Sequence, residues 1–133
     1  MKKTYLNPPE LFNSTDFGFS QIVISELGKL VYISGQVAWD EKREIAGKGD
    51  LETQVQKSID NLALAIQKAG GQLSDIVMLR IYVVNYTDTA GAIVGEALRR
   101  NFGTINPPAS TWLSVQGLAN PDFLIEIEAQ AVL

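Results

Sequence analysis

The stretch Ile76–Val84 reads IVMLRIYVV, a nearly continuous run of apolar and β-branched residues that only Arg80 interrupts. A run of this kind is typical of a strand that is covered on both faces rather than on one. It is also about half as long as a helix that crosses a membrane. The stretch therefore predicts a central strand of a sheet.

Amphipathic helices are predicted on both sides of this strand. Before it, apolar residues recur at spacings of three and four from Asp50, the predicted N-cap, to Gly70, which lies past the helix end. After it, Thr87 or Asp88 caps a second helix with the same periodicity, and Gly103 ends that helix. Each helix is expected to cross over between neighbouring parallel strands.

Four further strands are predicted around this helix–strand–helix unit. Residues 21–25 and 30–34 are β-branched runs separated by a short segment with Gly28, which predicts a β-hairpin. Residues 110–115 and 123–132 are expected to form the last two strands. The predicted fold is α+β, a five- to six-stranded mixed sheet with two helices on one face.

The composition excludes several classes of function. The chain has 133 residues, of which 46% are hydrophobic and 20% charged, so residues 1–133 are expected to form a single domain. It contains no Cys and no His, which removes disulfides, thiol nucleophiles, Cys/His zinc sites and imidazole acid–base chemistry. The 15 acidic and 11 basic residues give a formal net charge of −4, and the cations are scattered, so no nucleic acid partner is expected.

No targeting segment is evident in the sequence. Residues 1–9 lack the apolar region of a secretory signal, and no apolar segment reaches the length of a membrane span. We therefore expect a cytoplasmic protein without a membrane partner.

The predicted sheet has more apolar surface than two helices can cover. Its strands carry large apolar or aromatic residues that point both ways, namely Tyr32, Tyr82, Trp112, Ile125 and Ile127. Two helices cover one face, so the other face requires a second layer that one copy of the chain does not supply. This predicts a homo-oligomer.

Acidic residues on the last strand are candidates for acid–base chemistry. Glu126 and Glu128 alternate with apolar residues and so point to one face, where a desolvated carboxylate can exchange protons with a substrate. A solvated strand face is the commoner explanation of such a pair.

Several motifs together carry a family resemblance. They are Ser20-Gln21, Ile33-Ser34-Gly35-Gln36, a helix with Gln54 and Asn61, Ala69-Gly70, Pro107-Pro108-Ala109-Ser110-Thr111, and Ile125-Glu126-Ile127-Glu128-Ala129. In this order and spacing they resemble the RidA/YjgF family over nearly the whole chain. The resemblance implies a chorismate-mutase-like fold and a homotrimer with a central β-barrel. It also implies clefts between adjacent subunits that bind small molecules, and no cofactor or metal.

The resemblance also implies an activity, and this sequence departs from the family motif at a residue on which that activity depends. RidA relatives hydrolyse enamines and imines to a 2-oxo acid and ammonia, and an Arg in a Pro-Ala-Arg-Ser/Thr motif clamps the substrate carboxylate. Here Ser110 stands at the Arg position. Phe19 corresponds to a Tyr of the relatives, and Trp112 to a position that is often smaller. Glu126 matches the water-positioning Glu.

The candidate site follows residue by residue from this match. Glu126 is the candidate catalytic residue. The candidate substrate-binding residues are Phe19, Ser34, Gly35, Ser110, Thr111 and Trp112.

Three functions are compatible with these residues. The first is a homotrimer that binds a small metabolite other than a simple 2-imino acid, with hydrolysis through Glu126 and a water as its catalytic version. The second is enamine/imine deaminase activity in which Arg80, Arg99 or Arg100 of a neighbouring subunit reaches the cleft and replaces the missing cation. The third is a non-catalytic binding or regulatory module.

Overall fold

The computed structural model describes residues 2–133, which form six strands, two helices and two short 3-10 turns. The strands are β1 (Lys3–Leu6), β2 (Ile22–Ser25), β3 (Leu30–Gln36), β4 (Ile76–Val84), β5 (Ala109–Val115) and β6 (Ile125–Val132). The helices are α1 (Leu51–Lys68) and α2 (Asp88–Phe102), and the 3-10 turns are Ser14–Phe17 and Leu73–Asp75.

Four of the strands form one mixed sheet in the order β3-β6-β4-β5. The pair β4–β5 is parallel, whereas β6 runs antiparallel to both β3 and β4. The predicted central strand is therefore confirmed. Helix α2 joins the parallel neighbours β4 and β5, as expected, but α1 joins β3 to β4 across the intervening β6.

Both helices begin and end where the sequence predicts. Asp50 is the N-cap of α1, and the Thr87 hydroxyl caps α2 by accepting a 3.1 Å hydrogen bond from the Ala90 backbone N–H. Gly70 and Gly103 follow the helix ends with φ of 95° and 79°, a left-handed backbone that glycine adopts without steric cost.

The core lies between the two helices and one face of the four-stranded sheet. The helices contact each other, and α1 packs directly on β3 and β6. The core includes Val55, Ile59, Leu62 and Ile66 from α1, Val94 and Leu98 from α2, and Leu79, Ile81, Ile125 and Ile127 from the sheet.

No helix of the described chain covers the opposite face of this sheet, which we call the open face. Leu30 and Tyr32 are 65% and 71% exposed there, and Thr111 and Leu113 of β5 face the same way. These exposed apolar and aromatic side chains share the open face with the charged residues Arg80, Glu126 and Glu128.

The predicted β-hairpin between residues 21–25 and 30–34 is wrong. Strand β2 pairs antiparallel with β1, so that Val23 lies opposite Tyr5, while β3 pairs with β6. Gly28 does not take the positive φ that a tight hairpin turn requires. The first strand was missed because its four residues carry no distinctive apolar pattern.

The six strands also do not form one continuous hydrogen-bonded sheet. The β1–β2 pair forms a two-stranded sheet, which a bridge between Ser20 and Ala109 connects to β5. Ser20 donates its backbone N–H to the Pro108 carbonyl at 3.0 Å and its hydroxyl to the Pro107 carbonyl at 2.6 Å. These bonds fix the segment before β2 against the start of β5.

Candidate functional site

Ser110 and Trp112 lie on the helix-facing side of β5. Residues alternate along a strand, so Thr111 between them points to the open face. Across the parallel ladder Ser110 pairs with Leu79 and Trp112 with Ile81, both fully buried. Trp112 Nε1 donates a 2.8 Å hydrogen bond to Ser110 Oγ. The hydroxyl at the motif Arg position is therefore engaged by its own neighbour.

Aromatic rings surround this end of β5. The ring centroids of Phe19 and Trp112 are 5.8 Å apart, and the Phe12 centroid lies 6.1 Å from those of both Phe17 and Phe19. Together with Tyr86 these rings line a cavity of about 240 Å³. We call it the aromatic cavity. No charged side chain lines it.

Three of the five rings were not predicted as site residues. Phe12 lies in a loop, Phe17 ends a 3-10 turn and Tyr86 precedes α2, so no strand or helix periodicity marks them. The available signal was the close spacing of phenylalanines at 12, 17 and 19. Gly18 between the last two has φ of 88°, and a Cβ there would lie 3.0 Å from the Gly95 carbonyl oxygen of α2.

A second cavity of about 390 Å³ adjoins the aromatic cavity and shares Phe17 and Tyr86 with it. Its charged lining residues are Asp16, Asp88 and Arg99. The guanidinium of Arg99 donates from Nη1 to the Asp16 carbonyl oxygen at 2.8 Å. One cation and two carboxylates therefore border the aromatic cavity on this side.

Gly35 and Glu126 lie against each other on β3 and β6. The ladder between these strands is irregular from Ile33 to Gln36, and the exposed Ser34 lies in this irregular part. A Cβ on Gly35 would overlap the Glu126 carboxylate. The glycine thus leaves the room in which the candidate catalytic group lies.

The candidate residues consequently fall into two groups within one chain. Phe19, Ser110 and Trp112 border the helix-facing side of β5. Glu126 pairs with Tyr82 across the ladder and shares the open face with Thr111, and Ser34 and Gly35 accompany it. The sheet itself separates the two groups.

The open face also carries a hydrogen-bonded Tyr–Glu pair beside Glu126. The Tyr82 hydroxyl donates to Glu128 Oε1, and this bond raises the pKa of Tyr82 above its ordinary value. Burial adds to the rise, whereas the positive charge of Arg80 opposes it. Glu128 is therefore engaged by Tyr82, which leaves Glu126 as the better candidate for a substrate.

Two polar residues of α1 hold the segments that carry the second group. The side chain of the buried Gln54 accepts from the Leu124 N–H at 2.9 Å, directly before β6, and donates to the carbonyls of Gly47 and Asp122. Asn61 donates to the carbonyls of Val37 and Trp39 after β3, at 2.9 and 3.0 Å. Helix α1 thus positions the strands on which Gly35 and Glu126 lie.

The three candidate replacement cations have different surroundings. Arg80 lies on the open face, opposite Glu128 and Thr111 in the ladders. Arg100 donates to Gln56 Oε1 in the groove between the helices. Of these three, Arg99 is the one that lines the adjoining cavity, which shares Phe17 and Tyr86 with the aromatic cavity.

Residues 2–133 show no sign of a metal centre or of a membrane-spanning helix. They contain no cluster of three or more acidic, His or Cys side chains arranged to hold a metal ion. No helix within this range is both long and apolar enough to cross a membrane.

Two crossover helices on a four-stranded mixed sheet define an α+β protein. The family model described as Endoribonuclease L-PSP matches residues 14–133. A RutC family protein of Pyrococcus abyssi is 30% identical over 113 residues, which cover 85% of this chain and 84% of the relative. The chain belongs to the RidA/YjgF family.

Solved structures agree with this assignment. The crystal structure of YyfB from Yersinia pestis, a protein of unknown function of the conserved Rid family, is 38% identical, with a TM-score of 0.95 and full coverage of both chains. The YjgF gene product of E. coli is 30% identical, with a TM-score of 0.68, and the match covers 81% of this chain and 84% of that one.

Proposed function

We propose that this chain is a single domain that assembles as a homotrimer with a central β-barrel. In this proposal, clefts between adjacent subunits bind a small metabolite other than a simple 2-imino acid, and Glu126 with a water hydrolyses its imine-type bond. The observation that carries the proposal is the Ser110–Trp112 hydrogen bond at the position of the carboxylate clamp. A hydroxyl engaged by an indole N–H does not replace a bidentate guanidinium.

The open face supports assembly. Its exposed side chains include Leu30, Tyr32 and Leu113, and a second copy of the chain would remove their apolar surface from water. Assembly also supplies a reason for the two separate groups of site residues. A cleft between subunits can combine the Ser110 side of one copy with the Glu126 side of the next, which one chain alone does not do.

The proposed hydrolysis needs few groups. The Glu126 carboxylate accepts a proton from a water whose oxygen bonds to the carbon of the C=N group. That proton passes to the nitrogen and gives a carbinolamine. The proton of the new hydroxyl group then passes to the nitrogen as well, again through Glu126. The C–N bond breaks as the C=O bond forms, and the products are a carbonyl compound and ammonia or an amine. Gly35 leaves space for the carboxylate, and Ser34 borders the same place.

The remaining candidate residues would bind the substrate. Phe19 and Trp112 offer apolar ring surface, and the hydroxyls of Ser110 and Thr111 offer neutral hydrogen bonds. None of them supplies a positive charge.

A specific observation favours one second candidate, a 2-imino acid deaminase in which Arg99 is the cation. Arg99 lines the cavity that adjoins the aromatic one, and only Nη1 of its guanidinium is used in the bond to Asp16. The nearby carboxylates of Asp16 and Asp88 weigh against an anionic substrate there.

The test is hydrolysis of freshly generated 2-iminopropionate, followed as protection from semicarbazide trapping. We expect no activity from the natural chain, and we expect activity from Ser110→Arg, which restores the clamp. Ser74→Arg, the same change at an exposed serine outside both groups, serves as the matched control and is expected to be inactive.

Other outcomes identify the alternatives. Activity of the natural chain that Arg99→Ala abolishes would establish the second candidate. An inactive Ser110→Arg that is folded and trimeric by sedimentation would contradict the catalytic proposal and favour a non-catalytic binding module.

A further inference from the structure

The aromatic cavity has the character of a pocket for an apolar ring. Its neighbouring rings meet at steep angles, 73° for Phe12 and Phe17, 71° for Phe12 and Phe19, and 53° for Phe19 and Trp112. Rings at such angles present faces and edges around a common space rather than closing it by parallel stacking. A planar apolar group can make edge-to-face contacts with several of them at once.

The charges around the cavity do not favour an anion. The hydroxyl of Ser110 already accepts a bond from Trp112, and Arg99 donates to the Asp16 carbonyl. The adjoining cavity also carries the carboxylates of Asp16 and Asp88, so an anion would meet two like charges and one engaged cation. A cation is not favoured either, because no carboxylate lines the aromatic cavity to balance its charge.

The size of the cavity suits a single ring. Its volume is about 240 Å³, whereas pockets for drug-sized molecules measure about 300–1,000 Å³. Phe12 and Phe17 are 61% and 52% exposed, so they form the outer rim, with Phe19 and Trp112 further in. A ring can enter over Phe12 without displacing the core.

We propose that the aromatic cavity takes a neutral, single-ring aromatic group of the substrate and that Phe12 is a specificity-determining residue for it. This inference rests on the proposed function, because it names the substrate class of that same site. Phe12 lies before residue 14, outside the part that the family model matches. The Phe12 part of the outer rim therefore comes from a segment that the family model does not match.

The experiment compares three probes with one ring and different charges, benzamide, benzoate and benzylamine, by titration calorimetry with the purified full chain. Benzamide is expected to bind at least about tenfold more tightly than the other two. Phe12→Ala is expected to weaken benzamide binding roughly five- to tenfold, since one aromatic contact is lost. Leu27→Ala removes a fully exposed apolar side chain outside the cavity and is expected to change nothing.

Three results would overturn the inference. Benzoate binding as tightly as benzamide would mean that a free cation borders the cavity. Preferential binding of benzylamine would make the cavity a cage for organic cations. Benzamide binding that is equal in the natural chain and in Phe12→Ala would place the ring elsewhere.

Failure of this inference can be distinguished from failure of the proposed function. All five rings come from one chain, so benzamide binding does not require a trimer or Glu126. A chain that binds benzamide but sediments as a monomer would contradict the proposed function and leave the ring-binding role of the aromatic cavity intact. A trimer in which Ser110→Arg gains activity, but which does not prefer benzamide, would support the proposed function and contradict this inference.

Discussion

The Glu126 carboxylate occupies the space that a Cβ atom on residue 35 would fill, so its present position requires a glycine at residue 35. The φ of Gly35 is not positive, so its backbone accepts other residues. What an added methyl group would disturb is the carboxylate of β6, and not the conformation of β3. This separates an effect on chemistry from an effect on folding.

Gly35→Ala should therefore reduce hydrolysis with little loss of stability. In the Ser110→Arg background we expect 2-iminopropionate hydrolysis to fall at least about tenfold, while the free energy of unfolding changes by less than about 1 kcal/mol, because the Glu126 side chain can rotate away. Urea denaturation and the semicarbazide assay measure the two effects. Gly117→Ala is the control, since a Cβ there meets no atom within 4 Å. Unchanged hydrolysis would remove Glu126 from the mechanism.

The Tyr82–Glu128 hydrogen bond predicts a loss of stability at alkaline pH. The unfolded chain releases the Tyr82 proton near pH 10, but the folded chain releases it at higher pH because its pKa is raised. The folded state then binds more protons over this window, so the free energy of unfolding falls as pH rises through it. The stabilisation is fully present below about pH 10. Urea unfolding between about pH 8 and about pH 11 should show that the free energy of unfolding falls less steeply with pH in Tyr82→Phe than in the natural chain.

A second tyrosine provides the control for this titration. The pKa of Tyr5 is also raised, by burial and by the negative charge of Asp75, so part of the alkaline fall persists in Tyr82→Phe. Tyr5→Phe should retain the part of the alkaline fall in the free energy of unfolding that is due to Tyr82. Glu128→Gln should reduce that part, since an amide accepts the hydrogen bond without carrying a charge. Identical slopes in the natural chain and in Tyr82→Phe would contradict the role of the bond.

The elements that could be predicted from sequence are those with local signals. Helices α1 and α2 show apolar periodicity, caps and terminal glycines, and β4 is an apolar run that only Arg80 interrupts, so all three appear where expected. The pairing of β2 depends instead on residues far away in the chain. Strand β2 pairs with Lys3–Leu6 and not with the nearby β3, and no turn residue in the sequence indicates this pairing.

The candidate site was predictable in its members but not in its grouping. Strand alternation alone places Ser110 and Thr111 on opposite faces, which the motif match did not take into account. The walls formed by Phe12 and Tyr86 come from irregular segments, where side-chain direction depends on tertiary packing. Only the folded chain brings these rings to the end of β5.

Gln54 is the polar residue on which the start of β6 depends most. It is fully buried, and its side chain makes three hydrogen bonds, with Gly47, Asp122 and Leu124. Gln54→Leu should lower the free energy of unfolding by about 2–3 kcal/mol, since three backbone groups lose their partner. Gln67→Leu, at an exposed position of the same helix, should change it by less than about 0.5 kcal/mol. Equal effects in urea denaturation would contradict this role.

The family description raises the question of ribonuclease activity, for which this chain is poorly equipped. Acid–base cleavage of RNA commonly uses imidazole groups, and the sequence has no His. Its net charge of −4 repels a polyanion, and the exposed rings near Phe12 border Asp16 and Asp88 rather than a basic stripe. We expect the electrophoretic migration and the length of a single-stranded RNA to be unchanged at high protein concentration and low salt, the condition that most favours binding. A retarded band that vanishes with added salt would show an RNA surface, and shortened RNA that persists in Glu126→Gln would show a nuclease independent of the proposed site.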